Sequence, residues 1–405
     1  MNILLISDSY PPEVRSASQL MGEMALELKA RGHNISVITT WPKYNISDKD
    51  KSLKYEINTI ENGIQVIRIK TLPLHKANPI IRGVANLLLP LSFYNAAKKW
   101  IKTNIDIIIV YSPPLTLGIT AAKLKKLYNA KFIMNVQDIF PQQAIDLKIM
   151  NNKSLIFLFE AIESYCYKMA DIITVHSQGN FNYLNNIKKI SSDKLKIVHN
   201  WMDLKPYESV ISKNTFRRKY NLENKFIILY AGVIGLPQGL IQIVDAAIKL
   251  KNEKDIVFLL VGDGLDKNNI VNESTRLGLT NISFQNFVSL EDYPELVKEC
   301  NIGLVCLSSK NKTPVVPGKL LGYMAAKIPA IAILNKESDG HQIISDAKCG
   351  YSVISGEDLT GFVNHVLNIK NNKDLCNTLG INGNSYLKKH FTKLICIDAY
   401  ENYFN

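Results

Sequence analysis

The chain has 405 residues, long enough for two domains of roughly 200 residues each with separate cores. Hydrophobic residues at 46% and charged residues at 21% are the balance of a soluble globular protein. Lys+Arg exceeds Asp+Glu by 48 to 36, so anionic partners are favoured, whether nucleic acid, an acidic lipid surface or phosphorylated substrates. No run reaches about 18 uninterrupted apolar residues, which excludes an ordinary spanning helix. The six cysteines form no CxxC pair, which removes support for a zinc ribbon or a thioredoxin-like site and fits small buried hydrophobes in a reducing cytoplasm.

"NILLIS" near the start reads as a buried strand and not as a secretory leader, since no charged segment precedes it and Asp8 interrupts the apolar run. The loop "DSYPPEVRSAS" leads to a helix over about residues 19 to 31, with Leu20, Met21, Met24, Ala25 and Leu28 on one face and Gly32 as its stop. "NISVITT", "GIQVIRIK", "DIIIVY", "KFIMNV", "DIITVHS" and "LKIVHN" continue the strands. Runs this uniformly apolar are buried on both faces, so a parallel sheet covered by helices is expected. Asp48-Lys49-Asp50 spells a DxD string, but in a polar segment and away from a strand end, so it reads as a solvated loop and no metal site is expected.

The pattern restarts after "HNWMDLKPYES" with "KFIILYAG", "DIVFLLVGDG", "ISFQNFV", "IGLVCLS", "IPAIAIL" and "GYSVI". Two doubly wound α/β domains are therefore expected, residues 1–203 and 204–383, facing across a cleft. A tail helix over 384–405 would return to the first. Ligands of such sheets sit beyond the carboxyl ends of the strands. There "YAGVIGLPQG" supplies Gly232 and Gly235, and "VGDGL" supplies Gly262 in a tight turn. Neither is GxGxxG or GxxxxGK[ST], so dinucleotide and P-loop sites lose their specific support. "VPGKLL" places Gly318 and Lys319 at the mouth of a helix, where free N–H groups and a cation would attract an anion. Read alone, the same residues also describe a surface lysine after an ordinary turn.

Taken in order, "SYPPEVRSASQLMGEMALELKARGHNISVIT", "HNWMD", "LYAGVIGLPQGL", "LLVGDG", "ISFQNFV", "VPGKLLGYMAAKIPAIA" and "ESDGHQIISDAKCGYSV" resemble the motifs of retaining, nucleotide-sugar-dependent glycosyltransferases of the GT-B fold, in glycosyltransferase family 4. The nearest subset is similar to bacterial surface-polysaccharide enzymes of the N-acetyl-L-fucosaminyltransferase type. The resemblance implies transfer of a sugar, with an N-acetylated deoxyhexosamine as best expectation, from a UDP-sugar to a lipid-linked oligosaccharide, with retention, in O-antigen or capsule synthesis. It implies no tightly bound cofactor and no required metal. Gly318-Lys319 would hold the diphosphate, lined by Gly232, Gly235, Gln238 and Gly262. Asn286 and Val288 would approach the base, and Glu13 and Arg15 would close over the sugar or phosphates.

Departures from the family pattern shift the other roles. Two glutamates common in the family fall at Pro314 and Gly322, and the resemblance implies that Asp339 instead binds ribose or sugar hydroxyls, although read alone it is also a solvated loop acid. A common His-Asp pair reads Gln137-Asp138, which leaves Asp138 to orient sugar or acceptor, or else to cap the turn before Pro141. The usual Arg and Lys of the glycine turn are Leu236 and Gln238, so Lys319 is expected to carry most of the leaving-group charge.

The segment 75–102, apolar within and flanked by Lys76, Arg82, Lys98, Lys99 and Lys102, reads either as an interfacial helix at the inner membrane face or as a helix packed on the first sheet. A cytoplasmic protein peripheral to that membrane is expected, and no nucleic-acid partner, because no aromatic-basic motif or recognition helix is present. A nucleotide-sugar 2-epimerase and a non-catalytic nucleotide-sugar-binding protein share this architecture and remain the alternatives.

Overall fold

The computed structural model describes the chain except residues 44, 45, 47, 73–78 and 405, and gives the backbone alone for residues 48, 49, 79, 80 and 82. The chain forms two compact units, Met1–His199 with Leu394–Asn405, and Asn200–Lys393.

The sheet of the first unit uses β1 (Asn2–Ile6), β2 (Asn34–Thr40), β3 (Asn58–Glu61), β4 (Ile64–Ile69), β5 (Ile107–Ser112), β6 (Lys131–Val136), β7 (Ile172–Val175) and β8 (Leu195–Ile197). Its order is β3-β4-β2-β1-β5-β6-β7-β8, parallel except for the β3–β4 hairpin. Every residue of β5 is buried, as its unbroken Ile-Val run requires. The polar edge strand β3 was not expected from apolar patterning. Its signal is the Asn62-Gly63 turn, where both residues take the positive φ that tight hairpins use.

Helix Ser16–Ala30 buries Leu20, Met21, Met24, Ala25 and Leu28, the face that its periodicity marks out. Helix Pro79–Trp100 runs through Pro90, and its Ala85, Leu89, Phe93 and Ala97 enter the core shared with β1, β2 and β4–β7. Its opposite face leaves Val84, Leu87, Leu88 and Leu91 exposed, between 42% and 56%. Packing on the sheet thus accounts for one face of this segment only. Lys76 lies outside the described residues, as does the side chain of Arg82. Among the described residues no helix is long and apolar enough to cross a membrane.

The tail divides into two helices. Lys373–His390 stays with the second unit, where Asn384 donates to the carbonyls of Met324 (3.2 Å) and Ala325 (3.3 Å). Lys393–Glu401 docks on the first unit: Arg31 reaches Asp398 at 2.5 Å and also pairs with Glu401, His33 Nε2 lies 2.8 Å from Glu401, and the hydroxyls of Tyr400 and Thr174 are 3.2 Å apart.

The second unit's sheet uses β9 (Phe226–Ala231), β10 (Ile256–Val261), β11 (Ile282–Gln285), β12 (Ile302–Cys306), β13 (Ala330–Leu334) and β14 (Gly350–Ile354). It is all parallel, ordered β11-β10-β9-β12-β13-β14, with one apolar core on each face. "ISFQNFV" contributes only its first four residues as an edge strand, so Asn286 and Val288 belong to the following loop.

Candidate functional site

In an open parallel sheet, the crevice at the point where strand order reverses is the natural ligand site. In the second unit this point lies between β9 and β12, and the residues singled out from sequence follow the carboxyl ends of β9 to β13. Two glycine turns form the floor. Gly232 N donates to the Val261 carbonyl (2.9 Å), Ile234 N to that of Asp263 (2.9 Å) and Gly262 N to that of Gln285 (3.0 Å). The turns approach so closely that a Cβ on Gly262 would stand 1.9 Å from the Gly232 carbonyl oxygen.

Lys319 crosses this floor. A Cβ on Gly232 would meet its Cε at 2.6 Å and its Nζ at 2.9 Å, and the ammonium lies 4.9 Å from the centre of the Tyr230 ring. It is half-buried and forms no hydrogen bond or ion pair among the described residues. Burial, with only the Cys306 thiol acting against it, lowers its pKa to about 8. A cation kept partly from water without a carboxylate partner is an incomplete ion pair, which a phosphoryl group would complete. Tyr230 and Cys306, which shape this environment, were not picked out from sequence. The signal was their place at or one residue before the carboxyl ends of β9 and β12.

The helix after Gly318 is short, Lys319–Ala325, so its dipole adds little. Leu320 N and Leu321 N already donate to the carbonyls of Pro317 (3.1 Å) and Gly318 (3.2 Å). The amides of Gly318 and Lys319 themselves find no acceptor among the described residues, and Gly318 is exposed.

The loop carrying Asp339 packs beside this turn: Ser338 Oγ donates to the Val315 carbonyl (2.7 Å), and a Cβ on Gly340 would lie 3.2 Å from Pro317 Cδ. Asp339 is half-buried at the start of helix Gly340–Ala347. At Gly322 the hydroxyls of Tyr207 and Tyr293 stand 3.2 and 3.3 Å from a would-be Cβ, so the room for a longer acidic side chain is taken. Gln238 ends the turn Leu236–Gln238, and its Oε1 is buried without a hydrogen bond among the described residues, 3.2 Å from a would-be Cβ on Gly235. Asn286 is exposed, 3.5 Å from the Lys267 ammonium, while Val288 packs partly buried against the core.

In the first unit the strand order reverses between β1 and β5. Arg15 donates to Asp8 (3.1 Å), just beyond β1, and stands 4.0 Å from Glu13. The Glu13 carboxylate is buried and accepts from Ser9 Oγ (2.8 Å) and the Lys43 amide (2.9 Å), so it ties two loops together. Asp8 was not singled out as a site residue from sequence, although it lies only two residues past the first strand. Burial raises the pKa of Asp138, just past β6. The turn after it is closed by its backbone carbonyl, which accepts from Phe140 N (3.0 Å). Its carboxylate makes no hydrogen bond among the described residues, and it adds to the burial that raises the pKa of the Tyr111 phenol. Among the described residues no three His, Cys, Asp or Glu side chains are grouped to hold a metal ion.

Residues 17–205 match the family described as Glycosyltransferase Family 4, and residues 212–386 match Glycosyl transferases group 1. WcaI of Escherichia coli (strain K12), named for a glycosyl transferase role in colanic acid biosynthesis, is 26% identical over 338 residues, covering 80% of this chain and 81% of its own. Among solved structures, sucrose-phosphate synthase from Thermosynechococcus elongatus has a TM-score of 0.77 at 16% identity, covering 99% of this chain and 97% of that one. Anabaena HepE in complex with UDP has a TM-score of 0.73 at 14% identity, covering 99% of both chains. The two Rossmann-like domains thus have the GT-B fold.

Proposed function

From a chain that carries Family 4 and group 1 glycosyltransferase domains and is a transferase, we propose a retaining enzyme of surface-polysaccharide assembly that moves a sugar from a UDP-sugar to a lipid-linked acceptor. The observation that carries this is Lys319: half-buried, without an anionic partner among the described residues, beside two free amides and two glycine turns. UDP bound to HepE and the colanic acid role in WcaI's name support the base and the pathway class. The donor sugar is proposed to be an N-acetylated deoxyhexosamine, and the product to enter O-antigen or capsule.

As the C1–O bond to the diphosphate breaks, negative charge grows on the departing phosphate. Donors fixed where that charge appears lower the barrier. Lys319 and the amides of Gly318 and Lys319 supply them, a task a divalent metal performs in other enzymes. The acceptor hydroxyl attacks the face the diphosphate leaves, and the departing phosphate takes its proton. Asp138 orients sugar or acceptor, Asp339 holds ribose or sugar hydroxyls, and Asn286 and Val288 flank the base.

A thermal-shift panel of UDP, GDP and TDP sugars, followed by transfer to a lipid-linked acceptor, tests the reading. Stabilisation by UDP-sugars and product formation are expected, and interconversion of the donor without acceptor would instead establish an epimerase. Asp339→Asn should weaken UDP-sugar binding by roughly tenfold, as loss of one charge-assisted hydrogen bond does. Unchanged calorimetric affinity would remove Asp339 from the site.

The exposed stripe Val84, Leu87, Leu88 and Leu91, with Lys98 and Lys99 further along the same helix, is the proposed contact with the inner membrane face. Leu88→Glu/Leu91→Glu should abolish co-flotation with phosphatidylglycerol vesicles while leaving the melting temperature unchanged, because both positions are already exposed. Flotation equal to wild type would rule the stripe out.

A further inference from the structure

Three short helices of the second unit meet beside Lys319: Lys205–Ser209, Tyr293–Lys298 and Lys319–Ala325. Tyr207 of the first and Tyr293 of the second bring their hydroxyls to one point on the third. That point is Gly322, where a Cβ would stand 3.2 Å from the Tyr207 hydroxyl and 3.3 Å from that of Tyr293. Gly322 lies three residues after Lys319, so the two positions share a helix face, one turn apart.

Both phenols are polar groups in an apolar setting. Tyr207 is 4% exposed and belongs to the cluster that takes in Leu320 and Leu321, and Tyr293 and Val288 pack against that cluster. Burial raises the pKa of both hydroxyls, so both keep their protons and can donate as well as accept. Neither makes a hydrogen bond among the described residues. Two neighbouring tyrosines are satisfied: Tyr230 donates to the Val233 carbonyl (2.6 Å), and Tyr323 to the carbonyls of Leu229 (3.1 Å) and Leu304 (3.0 Å). A buried hydroxyl without a partner costs stability, and two at one point call for ligand groups that donate and accept in return.

Val288 stands at the proposed base, the phenols come next, and Lys319 stands at the proposed diphosphate. Between base and diphosphate a ribonucleotide carries the ribose, whose two adjacent hydroxyls each give and take a hydrogen bond. We infer that Tyr207 and Tyr293 bind the ribose 2′ and 3′ hydroxyls, and that the pair makes this site select ribonucleotide donors over 2′-deoxy donors such as thymidine diphosphate sugars. A site built to hydrogen-bond a substrate hydroxyl rejects the analogue lacking it, because its own buried groups are then left unpaired. The inference rests on the proposed UDP-sugar reading and deepens it, and Asp339 is then left to the sugar hydroxyls.

Calorimetry with UDP, 2′-deoxyuridine diphosphate and 3′-deoxyuridine diphosphate tests it. Wild type should bind each deoxy compound roughly tenfold more weakly than UDP. Tyr207→Phe and Tyr293→Phe keep the rings and remove hydroxyls that bond to none of the described residues, so the melting temperature should stay at the wild-type value. Each variant should lose roughly tenfold in UDP affinity yet bind one of the deoxy compounds as wild type does, because the partner hydroxyl is already missing. Lys319→Ala should weaken all three nucleotides alike.

The inference is overturned if wild type binds UDP and both deoxy compounds equally, or if both phenylalanine variants keep full UDP affinity. It is equally overturned if Asp339→Asn, and neither tyrosine variant, erases the preference for UDP. Wild type that binds none of the three nucleotides would remove the UDP-sugar reading itself and the inference with it.

Discussion

Lys319→Ala should lower kcat by roughly 10²–10³, about 3–4 kcal/mol of barrier, the size of one donor lost from a charge-stabilising site. The change removes a cation that crosses Gly232 and Tyr230 with no carboxylate paired to it among the described residues. No neighbouring lysine or arginine of the glycine turn stands ready to replace it, since Leu236 and Gln238 occupy those places. A kcat within about threefold of wild type would take Lys319 out of the mechanism.

The same lysine should impose a pH dependence on donor binding. Burial brings its pKa from 10.5 to about 8. Below that value the ammonium is formed and UDP affinity should be flat, whereas above it affinity should fall as the proton is lost. A bound diphosphate favours the charged form, so UDP binding above pH 8 takes up a proton. For folding the sign is opposite. The unfolded chain holds this proton up to its ordinary value, so between about 8 and 10.5 the unfolded state binds more protons and the fold gains stability as pH rises. Calorimetry in buffers of different ionisation enthalpy reads the uptake, which Lys319→Ala should abolish.

Gly262→Ala should cost about 3–5 kcal/mol, at the severe end for one substitution, and should eliminate donor binding as well. The new Cβ would stand 1.9 Å from the Gly232 carbonyl oxygen, at a φ of +154°. The obstacle is backbone on both sides. Ala231 and Val261 are register partners of the β9–β10 pair, and Gly232 N is bonded to the Val261 carbonyl, so the turns cannot part without unzipping the strands. Gly278→Ala supplies the control: its φ is +61°, yet nothing lies within 4 Å of the added methyl, so only conformational strain of about 1 kcal/mol remains. Equal urea midpoints for the two variants would mean that the turns do not touch.

Much of this organisation was legible in the residue order. Unbroken apolar runs such as "DIIIVY" and "DIVFLLVGDG" can only be strands covered on both faces, and each lies where it was expected. Strand β3 escaped, because an edge strand with Ile60 71% exposed carries no apolar alternation, and only Asn62-Gly63 marked the hairpin. The segment 75–102 could not be assigned from pattern alone. Its helix is apolar on both the face that enters the core and the face that stays outside, so periodicity had nothing to separate. Asp138 resisted for a different reason: whether its carboxylate or its backbone carbonyl closes the turn depends on geometry that residue type does not encode.

By itself, the sequence determined two parallel-sheet units, the strand ends where ligands gather, and the pairing of Gly318 with Lys319, because hydrophobic period and chain order are local properties. Only the tertiary structure decided that Lys319 lies across Gly232 without a counter-charge among the described residues, that Tyr207 and Tyr293 close the space at Gly322, and that Glu13 ties its loop to Lys43. Those are contacts between segments far apart in the chain, and burial and charge pairing at such a site are set by what the fold brings beside it.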